Sequence, residues 1–184
     1  QLKDDFAFYS RNCLKIRTKD KGLQPFALND AQVYIHNCLE QQIKDTGKVR
    51  AILLKGRQQG ASTYVGGRFI HKTTHNKGVR AFILTHDGES TNALFEMTER
   101  YYENLPKFVK PMASTANAKE LHFGVLDSGY KIGTAGNKAV GRGQTLQYFH
   151  GSEVAFWMNA SEHTKGIMQA VPDAPGTEVI WEST

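Results

Sequence analysis

"LKGRQQGASTY", Leu54 to Tyr64, follows the short apolar run "VRAILLK" and leads into "STYVGGRFIHKTTHN", a stretch of helical length. A strand, a glycine-containing loop, a Ser-Thr pair and a helix, in that order, is the layout of a phosphate-binding loop. The strict pattern is G-x-x-x-x-G-K-[ST]. With Gly60 as the second glycine, Ala61 stands at the lysine, Ser62 at the magnesium-binding hydroxyl and Lys55 at the first glycine. Backbone N–H groups from Gln58 and Gln59 through Gly60 to Thr63, with the helix N-terminus, can still cradle phosphates. What the loop lacks is a cation. Lys55 and Arg57, either side of Gly56, are long enough to fold back over it. Arg57 is favoured, because a planar guanidinium grips two oxygens at once and Lys55 closes a buried strand from which it can point away. A ligand-free strand-to-helix turn is the plain alternative.

The rest of the chain alternates strands and helices. "DDFAFYSRNCLKI" reads as a short helix followed by a basic connector, "RTKDKG". Asn29 is placed to cap a helix that Gly47 ends, with Val33, His36, Cys38 and Leu39 on one face. Gly66 and Gly67 let the helix after the loop pack closely on a sheet. "VRAFILTH" is a buried strand. "ESTNALFEMTERYYENL" is a helix carrying Ala93, Leu94, Met97 and Tyr101 at helical spacing, and Pro106 stops it. "ELHFGVLDSGYKIGTA" is a hairpin turning at "LDSG", "TLQYFHGSE" a strand with a polar tip, "ASEHTKGIMQAV" a helix and "TEVIWEST" a last strand. The predicted fold is α/β, with a mainly parallel central sheet and helices on both faces. Such sheets bind ligands beyond the carboxyl ends of their strands.

The bulk numbers fit one soluble domain. The chain has 184 residues, 40% hydrophobic and 22% charged, with net charge +5 and pI near 9.2, which permits contact with nucleic acid without requiring it. Cys13 and Cys38 form no ligand or redox pattern, which suits a reducing compartment. No run approaches a membrane span, and the N-terminus is unlike a signal peptide. The abrupt end at "VIWEST" suggests a domain cut from a longer protein.

Other segments supply what a phosphate loop needs for hydrolysis. "LQYFHGSEVAFW" puts Glu153 at a strand tip, where a carboxylate poises water for attack on a γ-phosphate. Ser152 precedes it where an aspartate would serve magnesium, so the metal falls mainly to Ser62, with Ser152 or Glu153 acting through water. Arg142, between two glycines in "AVGRGQT", suits an arginine finger or a DNA-phosphate contact. Gln32, in "GLQPFALNDAQ", can read an adenine edge with a carboxamide that donates and accepts together. Ser183 and Thr184 end the last strand and can sense the γ-phosphate.

Together these segments resemble the ATPase domain of the large terminase subunit, the motor that packages DNA into tailed-phage capsids. "PFALNDAQ" looks like its adenine-binding segment, "GRQQGAST" its deviant Walker A loop, "LQYFHGSEVAFW" its Walker B segment and "EST" the start of its coupling motif. The resemblance implies a P-loop NTPase core of the ASCE, RecA-like type over residues 26–184, behind an N-terminal helical extension over 1–25. It implies ATP and Mg2+ as cofactors, and Arg142 acting in trans within a ring. It implies double-stranded viral DNA, the portal protein and the small terminase subunit as partners, in the cytoplasm of an infected bacterial host. The family's nuclease domain would follow the coupling motif. Ala61 and Ser152 depart from the pattern. A helicase-type motor and a non-catalytic nucleotide- or DNA-binding module are the other readings.

Remaining polar residues suit plainer roles. His71 and His75 lack the carboxylate partners of a zinc site and suit packing. Asp87 suits a helix cap, and Tyr101, Tyr102 and Phe95 suit core or helix surface. "RFIHKTTHNKGVR" suits a solvated helix end.

Overall fold

The computed structural model describes residues 1–18, 20–117, 119–136 and 145–184. In chain order these form α1 (Phe6–Cys13), β1 (Lys15–Thr18), β2 (Gly22–Pro25), α2 (Asp30–Thr46), β3 (Val49–Leu54), α3 (Ala61–His75) and β4 (Arg80–Thr85). α4 (Gly88–Glu103), β5 (Thr115–Asn117), β6 (Glu120–Phe123), β7 (Ser128–Thr134), β8 (Tyr148–Gly151), α5 (Ala160–Ala170) and β9 (Glu178–Ser183) follow. β1 and β2 pair as a hairpin, and the other strands make one seven-stranded sheet in the order β3-β9-β8-β4-β7-β6-β5. The five strands from β3 to β7 in that order run parallel, while β6 and β5 add on antiparallel. The mainly parallel sheet expected from the sequence is therefore present, with an antiparallel flank.

Side chains alternate across the pleat, so β4, β8 and β9 each feed two cores, while the outer face of the edge strand β3, with Ile52 and Leu54, is exposed. Ala81, Ile83 and Ile180 join Phe6, Leu39, Tyr64, Phe69 and Tyr101 from α1 to α4 on one face. Phe82, Leu84 and Val179 join Trp157 and the α5 residue Ile167 on the other. Full burial of each such large side chain contributes roughly 1.5–3 kcal/mol.

Several local expectations need correction. The connector after α1 is part of the β1–β2 hairpin, with the Lys21 amide donating to Thr18 Oγ1 at its turn. On α2, Gln32 and Leu39 face inward while Val33 and Cys38 are exposed, because the helix rests on the loop and on β3. On α4 the buried face is Thr91, Phe95, Thr98 and Tyr101, and Ala93 points out. That helix ends at Glu103, with Asn104 as its cap. Gly66 and Gly67 serve close packing mainly against α4, α1 and the residues flanking the β1–β2 hairpin. A Cβ on Gly66 would lie 2.8 Å from Met97, and one on Gly67 3.0 Å from Phe26 and 3.1 Å from Leu14. The basic stretch on α3 is not a solvated end. Arg68 is fully buried and pairs with Glu178 at 2.8 Å and Glu40 at 2.7 Å. Asp87 does cap α4, His71 and His75 pack on the Tyr9 ring, and Phe95 and Tyr101 are core.

Candidate active site

The turn between β3 and α3 is set by two residues with positive φ, Gln58 at 61° and Gly60 at 78°. Gly60 is the N-cap of α3 and supplies no side-chain hydrogen bond, so the first-turn N–H groups of the helix have no side-chain cap. Uncapped donors at a helix start attract anions. Gln32 holds this turn from behind. Its Nε2 donates to Gly60 O at 2.8 Å, and its Oε1 accepts from the Asn29 amide at 3.0 Å, closing the capping box of α2. Gln32 is buried, with donor and acceptor both engaged by backbone; adenine reading would require these bonds to be exchanged.

Lys55 extends the ladder one residue past β3, its amide donating to Ser183 O at 3.1 Å. Its Nζ lies 3.1 Å from Glu153 Oε1, and both side chains are largely shielded. Arg57 is exposed on the loop. Lys55 thus points into the site rather than away from it.

Glu153 follows β8 in a left-handed backbone conformation, φ 53° and ψ 49°, at the start of a short 3-10 turn over Val154–Phe156. A non-glycine residue held there stores local strain, a feature concentrated at functional sites. Its Oε2 accepts from Thr184 Oγ1 at 3.1 Å, and the Ala155 amide donates to Ser183 Oγ at 3.2 Å. Ser183, the last residue of β9, and Thr184 after it therefore touch the Glu153 turn directly.

β8 is not the immediate neighbour of the loop strand; β9 lies between them. That placement brings in Glu182, which the sequence offered only as the first residue of "EST". Glu182, level with Leu53 of β3, is buried at 1% exposure. Its Oε1 accepts hydrogen bonds from Ser62 Oγ and, at 2.9 Å, from Ser152 Oγ, with His150 Nε2 at 3.4 Å. Burial opposes its charge, but His150, Ser62 and Lys55 outweigh burial and bring the carboxyl down to about 2. The available signal was a carboxylate at the tip of a strand whose middle, Val179 to Trp181, is apolar, one residue before Ser183.

Among the described residues no three His, Cys, Asp or Glu side chains gather into a metal cage. The oxygen donors Ser62, Ser152 and Glu182 suit magnesium, which takes one or two protein ligands and completes its shell with phosphates and water. Arg142 lies outside the described residues.

A mainly parallel sheet with a glycine turn, an uncapped helix start and carboxylates at neighbouring strand tips is the arrangement a phosphate-binding loop needs. Comparison with solved structures identifies the fold as that of large-terminase ATPase domains. The large terminase of bacteriophage HK97 superposes with TM-score 0.77 over 99% of this chain and 37% of that one, at 16% identity. The ATPase domain of the Thermus phage P74-26 large terminase gives 0.58 over 84% and 64%, at 18% identity. The large terminase of a thermophilic bacteriophage, in complex with ADP, gives 0.58 over 84% and 38%, at 10% identity. The chain thus spans little more than a third of the HK97 protein's length. No family model matches the chain, and no curated protein matches it either. Among the described residues no helix is long and apolar enough to cross a membrane.

Proposed function

We propose that this chain is the ATPase motor domain of a viral large terminase, coupling ATP hydrolysis to translocation of double-stranded DNA into a procapsid. The carrying observation is the convergence of the Lys55–Thr63 loop, Ser62 and Glu153 at one edge of a sheet with the terminase ATPase fold. Loop amides and the α3 N-terminus bind the phosphates, and Ser62 offers its hydroxyl to magnesium. The ion, when bound, neutralises charge on the β- and γ-phosphates. Glu153 orients the attacking water and accepts its proton. Lys55 supplies the cation that Ala61 cannot, moving from Glu153 to the γ-phosphate when nucleotide enters. Ser183 and Thr184, bonded to the Glu153 turn, carry the loss of γ-phosphate to whatever moves DNA.

Arg142 completes the site of an adjacent subunit in a ring, where an arginine finger is worth about 10³ to 10⁵ in rate. Portal protein and small terminase subunit are the partners of that ring, in the host cytoplasm. The unit spans 26–184, with 1–25 packed on it through Phe6, Tyr9 and Cys13. The helicase-type reading gains no support from the three neighbours, all large terminases.

Glu153→Gln tests the reading. Nucleotide binding by titration should persist while phosphate release falls by at least about 10²-fold, the scale of a lost general base. Turnover at the parent rate would reject it.

A further inference from the structure

Without Glu182 the site has too little negative charge for a divalent ion. Ser152 is neutral where a carboxylate would normally face the metal, and Ser62 is neutral too. Glu153 is engaged by Lys55 and Thr184.

Sheet order offers a substitute. β9 runs between the loop strand and β8, with Gly151 level with Trp181 and Leu53 level with Glu182. The residues that follow, Ser152 on β8 and Glu182 on β9, are therefore side by side at the strand tips. One oxygen of Glu182 is held by both Ser62 and Ser152. The other, Oε2, is buried without a hydrogen-bond partner among the described residues. An orphaned carboxylate oxygen costs several kcal/mol unless something binds it. His150 Nε2 lies 3.4 Å from Oε1, not Oε2, and Lys55 has its own contact with Glu153.

We infer that Glu182 is the metal-site carboxylate of this ATPase, moved one strand sideways from residue 152, and that its free oxygen serves the nucleotide-bound Mg2+ or its waters together with Ser62. This rests on the nucleotide-site reading above and extends it. A hard divalent ion needs oxygen donors and at least one full negative charge from the protein beside those of the phosphates. Ser62, Ser152 and Glu182 supply both. The two serines fix the carboxylate in place, so Ser152 becomes a positioning residue.

The test is Mn2+ binding to the ADP complex of the chain, read by the electron paramagnetic resonance signal of free Mn2+, beside ADP titration without metal. In Glu182→Gln the Mn2+ affinity of the ADP complex should fall by at least about tenfold, on the scale of one lost charge-assisted contact, while metal-free ADP binding stays within about twofold by the same reasoning. Adding Ser152→Asp to Glu182→Gln should restore Mn2+ binding, because it returns the charge to β8. Mn2+ affinity unchanged in Glu182→Gln overturns the inference and leaves the nucleotide site standing. A loss that Ser152→Asp does not repair also overturns it. A parent chain that binds ADP neither with nor without Mn2+ overturns the site reading and this inference together.

Discussion

The Lys55 ammonium stands 3.1 Å from the Glu153 carboxylate, joining the first residue beyond β3 to the tip of β8 across the intervening β9. In this arrangement each group neutralises the other. Under the proposed function, bound nucleotide competes for the lysine and leaves Glu153 free to take a proton from water, so that the pair links phosphate binding to readiness for hydrolysis.

Lys55→Ala is expected to lower ATP turnover by about 10²- to 10³-fold, the usual cost of losing one group that stabilises transition-state charge. Arg57→Ala, on the exposed face of the loop, should stay within a few-fold of the parent. Phosphate-release assays on both variants decide between them. A dead Arg57→Ala beside an active Lys55→Ala would return the role of the missing lysine to Arg57.

Gly60 is constrained twice. Its φ of 78° is left-handed, and a Cβ there would sit 2.6 Å from Gln32 Nε2. Left-handed backbone costs a non-glycine residue about 1–2 kcal/mol, and the clash would break the Gln32 bond that braces the turn. Gly60→Ala should destabilise the fold by about 2 kcal/mol in urea unfolding on that basis and weaken ADP binding. Gln32→Ala should weaken ADP binding without the backbone penalty. Parent-like affinity in both would mean the brace does not shape the loop.

The order of elements could be read from the sequence because periodicity and caps are local. Asn29 and Gly47 bound α2 as expected, and "RAFILT" is β4. What could not be read was lateral order. Nothing in the sequence says that β9 inserts between β3 and β8, so Glu182 was legible only as the first residue of the "EST" segment. Arg68 was misjudged for a related reason. Its neighbours in sequence are basic, but its partner Glu178 lies 110 residues away at the opposite end of β9 from Glu182. Gln32 was legible as a candidate adenine reader, but not its burial against Gly60.

Arg68 and Glu178 form a buried ion pair, with Lys72 2.9 Å from the same carboxylate. Burial opposes the charge of Glu178, yet Arg68 and Lys72 prevail and hold it at about 2. Removing one member of such a pair strands the other, at a typical cost of about 3–5 kcal/mol. Arg68→Met should therefore unfold at much lower urea than the parent, and Arg68→Met with Glu178→Gln should recover part of the loss. A double variant no more stable than Arg68→Met would mean the stranded charge is not the source of the penalty.

Acid should destabilise the protein before its carboxylates titrate. His71, on α3, is buried against the Tyr9 ring and its Nε2 lies 2.8 Å from Leu2 O. Burial, reinforced by the charges of Lys72 and Arg68, pushes its pKa from 6.5 down to about 3, against the pull of the Leu2 bond. The unfolded chain therefore binds a proton between pH 6.5 and about 3 that the folded chain refuses. Stability rises with pH wherever the unfolded state holds more protons. The contribution is thus complete above pH 6.5 and is lost as pH falls toward 3. At about 1.4 kcal/mol per pH unit, the fall to pH 5 costs roughly 2 kcal/mol. His36 and His75 are lowered by burial too and add to the same slope. His71→Gln keeps a donor toward Leu2 O but cannot titrate. Urea unfolding at pH 7 and pH 5 should show the parent losing about 2 kcal/mol more than this variant, by the same linkage. Equal losses would show that His71 already carries its proton in the folded protein or leaves its pocket before the fold gives way.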